Sequence, residues 1–270
     1  MDVIKVPEID FEKTISEIVD FIRGEVEKAG AAGVVLGLSG GIDSSLTAAL
    51  CVRALGGDKV LGVIMPTSFT PKEDLEDALE VSRKLNMKTI LVNIDDICET
   101  IVKALKVNPD DPRVRMPLAN VRARVRMLIL YFYANLYNYL VVGTSDRSEY
   151  LIGYFTKYGD GAADFFPIRH LYKTQVRELA AYMGLPERIV KKPSSPQLYP
   201  GHRLLDEVPA DYSIIDPILV GLFEKNLPAD KVSEILNVQL EIVNDVKRRY
   251  MKSMHKRLTP PMIEAKKPPI

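Results

Sequence analysis

Apolar residues recur at Ile15, Ile18, Val19, Ile22 and Val26, the three-and-four spacing of one helix face. They predict an amphipathic helix that Gly30 and Gly33 end. The pattern then shifts to short continuous apolar runs: Val34 to Leu38, Val60 to Met65, Thr89 to Ile94 and Leu140 to Gly143. Runs of that length predict strands buried on both faces. Helical stretches lie between them, at Ser45–Leu55, from Pro71 to about Leu85, at Ile97–Leu105, and from Pro117 to about Asn138. Thr70 is placed to cap the second of these, Pro71 suits a first helical position, and Glu73 can close a capping box. Short apolar strands alternating with helices predict an α/β fold, a Rossmann-like open parallel sheet with helices on both faces. After Gly153 the character changes. Lys157 to Asp164 is rich in Gly and Asp, Pro186 to Pro217 is proline-rich and irregular, and Ile214 to Arg249 reads as extra C-terminal helices. The whole chain, 1–270, reads as one unit: a core over about 10–190, a lid over about 191–213 and a helical part over about 214–257.

Composition narrows the class. Of the 270 residues 47% are hydrophobic and 27% charged, and 36 Lys+Arg balance 36 Asp+Glu. That balance offers no overall basic surface for nucleic acid. The two cysteines, Cys51 and Cys98, have no metal-ligand spacing and make no disulfide framework, which suits a reducing compartment. The first residues, Met1 to Glu8, are charged and lack an apolar signal core. Met127 to Ala134 is the most apolar stretch and is too short to span a bilayer. The expectation is a cytoplasmic protein that binds neither nucleic acid nor membrane.

The candidate chemistry begins at Gly37-Leu38-Ser39-Gly40-Gly41-Ile42-Asp43-Ser44, between the first strand and its helix. In an open parallel sheet this edge holds ligands. Glycines let the backbone approach a phosphate, and a helix N-terminus offers unpaired N–H groups and positive potential. The segment is neither a Walker loop, which ends Gly-Lys-Ser/Thr, nor a Gly-x-Gly-x-x-Gly fingerprint. Asp43 would repel a phosphate unless a cation stood between them, which argues for magnesium. It can also simply complement the dipole of the following helix.

Three later segments carry further polar groups. On the long helix, Asn120 and Arg124 share one face while Arg122 and Arg126 share another; these are ligand contacts or a solvated basic surface. At the end of the fourth strand, Gly143-Thr144-Ser145-Asp146-Arg147-Ser148-Glu149 offers Thr144 to a nucleotide and Glu149 to a metal, or is a capped helix start. Gly153 to Asp164 mixes glycines with Tyr154, Phe155 and Tyr158, and Lys157 can meet a phosphate.

The Ser39–Ser44 loop resembles the pyrophosphate-binding loop of the N-type ATP pyrophosphatases, whose fold is adenine nucleotide alpha hydrolase-like. With the runs Phe155-Thr156-Lys157-Tyr158-Gly159-Asp160-Gly161 and Asn120-x-x-Ala123-Arg124-x-Arg126-Met127, the chain is similar to the NAD synthetase family from the loop to His255-Lys256-Arg257. The resemblance implies that Gly37, Leu38, Ser39, Gly40, Gly41, Ile42, Asp43 and Ser44 hold ATP phosphates, and that Thr144, Lys173 and Ser194 also contact ATP. It implies Asp43 and Glu149 as Mg2+ ligands, Asp43 and Lys173 as catalytic groups, and Asn120, Arg124, Lys157, Asp164, His255 and Lys256 as contacts for deamido-NAD. A homodimer built on the long helix is also implied. Met65 stands near where bacterial members often carry arginine, Ser194 stands for a common threonine, and Pro196 to Glu207 departs from the usual pattern.

The implied reaction is adenylation of the nicotinate carboxylate of deamido-NAD, with release of pyrophosphate, then attack by ammonia to give NAD and AMP. No glutamine-hydrolysing segment or Cys nucleophile is expected, so the ammonia would be free or come from a separate glutaminase partner. The alternatives are another ATP pyrophosphatase, such as a tRNA thiolase or a GMP synthetase core, or a nucleotide-binding regulatory protein.

Overall fold

The structure is a computed structural model, describing residues 3–195 and 197–263. Four strands, β1 (Gly33–Gly37), β2 (Val60–Ile64), β3 (Lys88–Leu91) and β4 (Tyr139–Val141), form one sheet in the order β3-β2-β1-β4, with every pairing parallel. The alternation along β1 explains the doubly covered sheet. Val34, Leu36 and the following Leu38 join one core layer, and Val35 joins the other. The first layer packs α1 (Phe11–Lys28), α2 (Ile42–Leu55), α3 (Lys72–Lys84) and α7 (Lys173–Tyr182) against the sheet. The second packs α4 (Asp95–Leu105) and α5 (Arg115–Tyr137). Each fully buried Leu or Ile in these layers contributes about 1.5–3 kcal/mol.

Local signals set the ends of these elements. The Asp10 carboxylate accepts from Lys13 N at 3.1 Å and caps α1, while Asn138, at φ 53°, ends α5 in the left-handed conformation. The expected cap of α3 is different. The helix starts at Lys72, and the Thr70 hydroxyl accepts from Thr67 N at 2.9 Å within a tight turn instead of capping. β3 is shorter than the apolar run Thr89–Ile94: the ladder with β2 spans Lys88–Leu91, Val92 N still donates to the Ile64 carbonyl at 2.9 Å, and residues from Asp95 already wind into α4.

The strand order reverses between β1 and β4, so a crevice opens at the C-terminal ends of those two neighbours. The short helix α6 (Arg147–Ile152) borders it through Glu149, while a second short helix, α8 (Glu187–Val190), packs Ile189 into the first core layer. A third apolar cluster is built by α9 (Tyr212–Leu219), α10 (Ala229–Leu236) and α11 (Leu240–Lys252), with α12 (Met254–Arg257) following. Among its described residues, the segment between α8 and α9 is irregular apart from a 3-10 turn at Leu204–Asp206, yet it buries Tyr199, His202, Leu204, Val208 and Ala210. Its stem is anchored: Lys192 Nζ pairs with Asp74 at 2.6 Å and with Asp77, and donates to the Gly40 carbonyl at 3.2 Å. No helix among the described residues is long and apolar enough to cross a membrane.

Candidate active site

The loop after β1 is shaped by its own hydroxyls. Ser44 Oγ donates to the Gly41 carbonyl at 3.0 Å and accepts from Ser39 N at 3.2 Å, while Ser45 Oγ donates to the same carbonyl at 2.8 Å. Gly40 has φ +77°, and a Cβ there would collide with the Asp74 carbonyl, so only glycine fits the turn. The turn brings the N-terminus of α2, Ile42 to Ser44, to the wall of a cavity of about 310 Å³. That volume is in the range of small-molecule sites. Residues of the loop, Met65, Arg126, Thr144, Glu149, Tyr154, Ser194 and Tyr212 line it.

Behind its wall three acids surround one ammonium; Asp43 and Glu149 line the cavity, while Asp146 and Lys173 lie beneath them. Lys173 Nζ, on the first residue of α7, lies 2.6 Å from Asp43 Oδ2, 2.8 Å from Asp146 Oδ2 and 2.9 Å from Glu149 Oε1. Lys173 and Asp146 are 0% exposed, and Asp43 and Glu149 only 21% and 20%. Burial pulls the lysine amine down, but Asp146, Asp43 and Glu149 outweigh it and hold its pKa well above the ordinary value, so it stays charged. Burial raises the Asp146 carboxyl to about 7 and the Glu149 carboxyl well above its usual range; Lys173 opposes both shifts and the neighbouring acids add to them.

The donor set fits a hard divalent cation. One oxygen from each of Asp43, Asp146 and Glu149 lies within 4.8 Å of the others. When ionised, the three acids exceed the single ammonium by two charges, and Asp43 Oδ1 is buried without a hydrogen-bond partner among the described residues.

A family model described as NAD synthase matches residues 14–260. The chain belongs to that family. It is 47% identical to the NH(3)-dependent NAD(+) synthetase of Staphylothermus marinus, over 97% of this chain and 93% of that one. Among solved structures it is similar to an NH3-dependent NAD synthetase from Campylobacter jejuni, with 36% identity and TM-score 0.79, covering 95% and 100% of the two chains. It is also similar to an NMN synthetase from Francisella tularensis, with 30% identity and TM-score 0.83, covering 96% and 100%.

Within the NAD synthase fold, most residues expected to contact ATP converge, but Gly40 and the fully buried Lys173 do not line the cavity. The rest of the loop, Thr144 and Ser194 line it, and Ser194 Oγ is buried with no partner among the described residues. The residues expected to contact deamido-NAD do not join them there. Lys157 Nζ donates to the His255 carbonyl at 2.8 Å, and Lys256 Nζ donates to the Gly153 and Phe155 carbonyls, each at 2.8 Å. Asp164 accepts from Val141 N at 2.7 Å and Tyr131 Oη at 3.3 Å. Asn120 Oδ1 accepts from Thr156 Oγ1 at 2.7 Å, and Arg124 donates to the Lys157 carbonyl at 3.2 Å. These bonds shape the loop at 153–164 from behind, and its Gly159, Asp160 and Ala162 reach the cavity rim.

Two participants escaped the sequence reading. Asp146 is the N-cap of α6, accepting from Glu149 N at 2.8 Å while pairing with Lys173. Its spacing from Glu149 was the available signal, since an N-cap and the third residue after it share one helical turn. Arg126 reaches under the cavity to donate to the Met65 carbonyl at 3.1 Å, and burial pushes its guanidinium pKa down. It brings an arginine to the Met65 position from the facing helix.

Proposed function

We propose that this chain is an ammonia-dependent ligase that converts deamido-NAD to NAD while ATP is cleaved to AMP and pyrophosphate. The observation that carries the reading is the buried Lys173 ammonium, set among three acids beside a glycine–serine loop and helix N-terminus that line the cavity. A carboxylate does not condense with ammonia, because oxide is a poor leaving group. Attack of the nicotinate carboxylate oxygen on the α-phosphorus of ATP forms a C–O–P link and expels pyrophosphate. Ammonia nitrogen then forms the C–N bond, AMP leaves, and a proton is lost. Lys173 and the loop N–H groups stabilise charge on the departing pyrophosphate. Magnesium held by Asp43 and Glu149, with Asp146 beside them, would neutralise phosphate charge. Thr144 and Ser194 offer hydroxyls to the nucleotide, and Arg126 underlies the adenine end near Met65. Deamido-NAD lies against the loop that Asn120, Arg124, Lys157, Asp164, His255 and Lys256 support.

A tRNA thiolase would need a reactive thiol. Cys51 and Cys98 are both buried, and burial pushes the Cys51 thiol up to about 12. Free, unpaired thiols suit the cytoplasm. The homodimer reading is supported by Leu128, Phe132 and Leu136, one turn apart on α5 and 63%, 61% and 57% exposed. Ammonia would come from solution or from a separate glutaminase.

The test incubates purified chain with deamido-NAD, ATP, magnesium and ammonium, and follows NAD, AMP and pyrophosphate by chromatography. Equal amounts of the three are expected, with glutamine failing to replace ammonium and nicotinate mononucleotide a poor substitute for deamido-NAD. NAD formed without AMP, or no NAD at all, would refute the reading.

A further inference from the structure

We propose that Asp216, on α9 of the C-terminal helical layer, is the positioning residue that sets Lys173 against Glu149. The inference rests on the function proposed above and concerns a residue outside the cavity.

Lys173 and Glu149 lie in the first turns of two separate helices, α7 and α6. A catalytic arrangement that spans two helices needs their N-terminal turns fixed relative to each other. Asp216 is 0% exposed and joins both. One oxygen, Oδ1, accepts from Ser148 Oγ at 2.6 Å. The other, Oδ2, accepts from Thr174 N and Thr174 Oγ1, each at 2.9 Å. Ser148 Oγ in turn accepts from Lys173 N at 2.9 Å. The backbone of Lys173 is therefore held on both sides by one carboxylate, directly at the next residue and through Ser148 at its own N–H. Ser148 precedes Glu149, so the same link fixes the acid.

The first turn of α7 has no acidic residue of its own, and its N-terminal N–H groups favour negative charge. Asp216 supplies that charge from another layer of the fold. One turn earlier on α9, Tyr212 places its ring centroid 5.2 Å from Lys173 Nζ, so the same helix backs the ammonium as well as its backbone. Side-chain placement in such sites is exacting: an error of about 1 Å costs roughly 100-fold in rate.

The test compares Asp216→Ala, Asp216→Asn and Ser148→Ala with the wild-type enzyme, recording kcat, KM and melting temperature. Asp216→Ala should lower kcat by roughly 100-fold, with KM for ATP within about threefold. Asp216→Asn keeps the shape and one accepting oxygen, and should recover much of that loss. Ser148→Ala removes the link to Lys173 N but leaves the Thr174 bonds, so it keeps the fold and still lowers kcat. Should Asp216→Ala not fold, the other two variants decide. Full kcat in folded Asp216→Asn and Ser148→Ala, with only a lower melting temperature, would make Asp216 a plain stabilising contact and overturn the inference. A second readout is independent of turnover: the 15N resonance of the Lys173 ammonium should move in Asp216→Asn, and an unmoved resonance counts against the proposal. A wild-type enzyme that forms no NAD would sink the functional reading alone, with the resonance still deciding the role of Asp216.

Discussion

Replacing Lys173 by methionine, which is close to it in length and has no charge, tests the buried charge cluster most sharply. Lys173 contacts three carboxylates at 2.6–2.9 Å and has no solvent to take its place. Removing one partner from a buried ion pair costs about 3–5 kcal/mol, because the other charge is left uncompensated. In a chain this size, 1 kcal/mol moves the melting temperature by about 2–4 °C, so a fall on the order of 10 °C follows at pH 8. The cost must depend on pH. A carboxyl whose folded pKa is raised stabilises the fold below its unfolded value of about 4, and loses that contribution as pH rises through the folded value. For Asp146 that window ends at about 7 in the wild type, and for Glu149 it lies well above the ordinary range. Without the ammonium both pKa values climb further. At pH 5 the acids are protonated in the variant and the gap from wild type is small; at pH 8 the full penalty appears. Calorimetry of both proteins from pH 5 to 8 measures the gap, and added magnesium should narrow it by replacing the missing cation. A gap that stays constant with pH, or remains below about 1 kcal/mol at pH 8, would refute the charge argument.

Asp43→Asn should reduce NAD formation by at least about 100-fold with an unchanged circular dichroism spectrum, and near-normal turnover would remove Asp43 from the metal site. Gly40→Ala puts a Cβ against the Asp74 carbonyl at a left-handed φ, so it should lower stability by about 1–3 kcal/mol in denaturant titration and weaken ATP binding by calorimetry. Phe132→Asp places a charge in the exposed apolar stripe of α5 on which the proposed homodimer rests, and should give half the wild-type mass by light scattering; a wild-type monomer, or an equal mass for both proteins, would refute that interface.

The sheet was legible because Val34–Leu38 and Val60–Met65 are apolar on both faces, a pattern that few other environments allow. The turn at Gly37–Ser44 was legible as a strand-to-helix loop because glycine and serine stand between such a strand and a helix. What stayed hidden depends on long-range geometry. Asp146 looks like an ordinary helix cap until Lys173, 27 positions later, is seen against it. Arg126 could not be told from its neighbours on a basic helix, since periodicity names faces but not what each face meets. Asp216 is one acid in an apolar helical stretch, and nothing near it in sequence shows that its partners are Ser148 and Thr174. Lys157 and Lys256 stand in the sequence as candidate ligand contacts, and nothing near them shows that their targets are backbone carbonyls about 100 residues away.

Those two lysines have a consequence for synthesis. Lys157 holds the carbonyl of His255, and Lys256 holds those of Gly153 and Phe155, a reciprocal clasp between the middle of the chain and its end. As the chain leaves the ribosome, its parallel sheet can assemble once Val141 has emerged, well before α12 exists. The glycine-rich segment at 153–161 meets Asn120 and Arg124 of α5 early, but its bonds to Lys256 and the His255 carbonyl form only when the last helix docks. The nascent protein therefore acquires the sheet and its glycine–serine turn first and the finished cavity rim last, so a message cut short before α12 would leave that rim without the bonds these two lysines make.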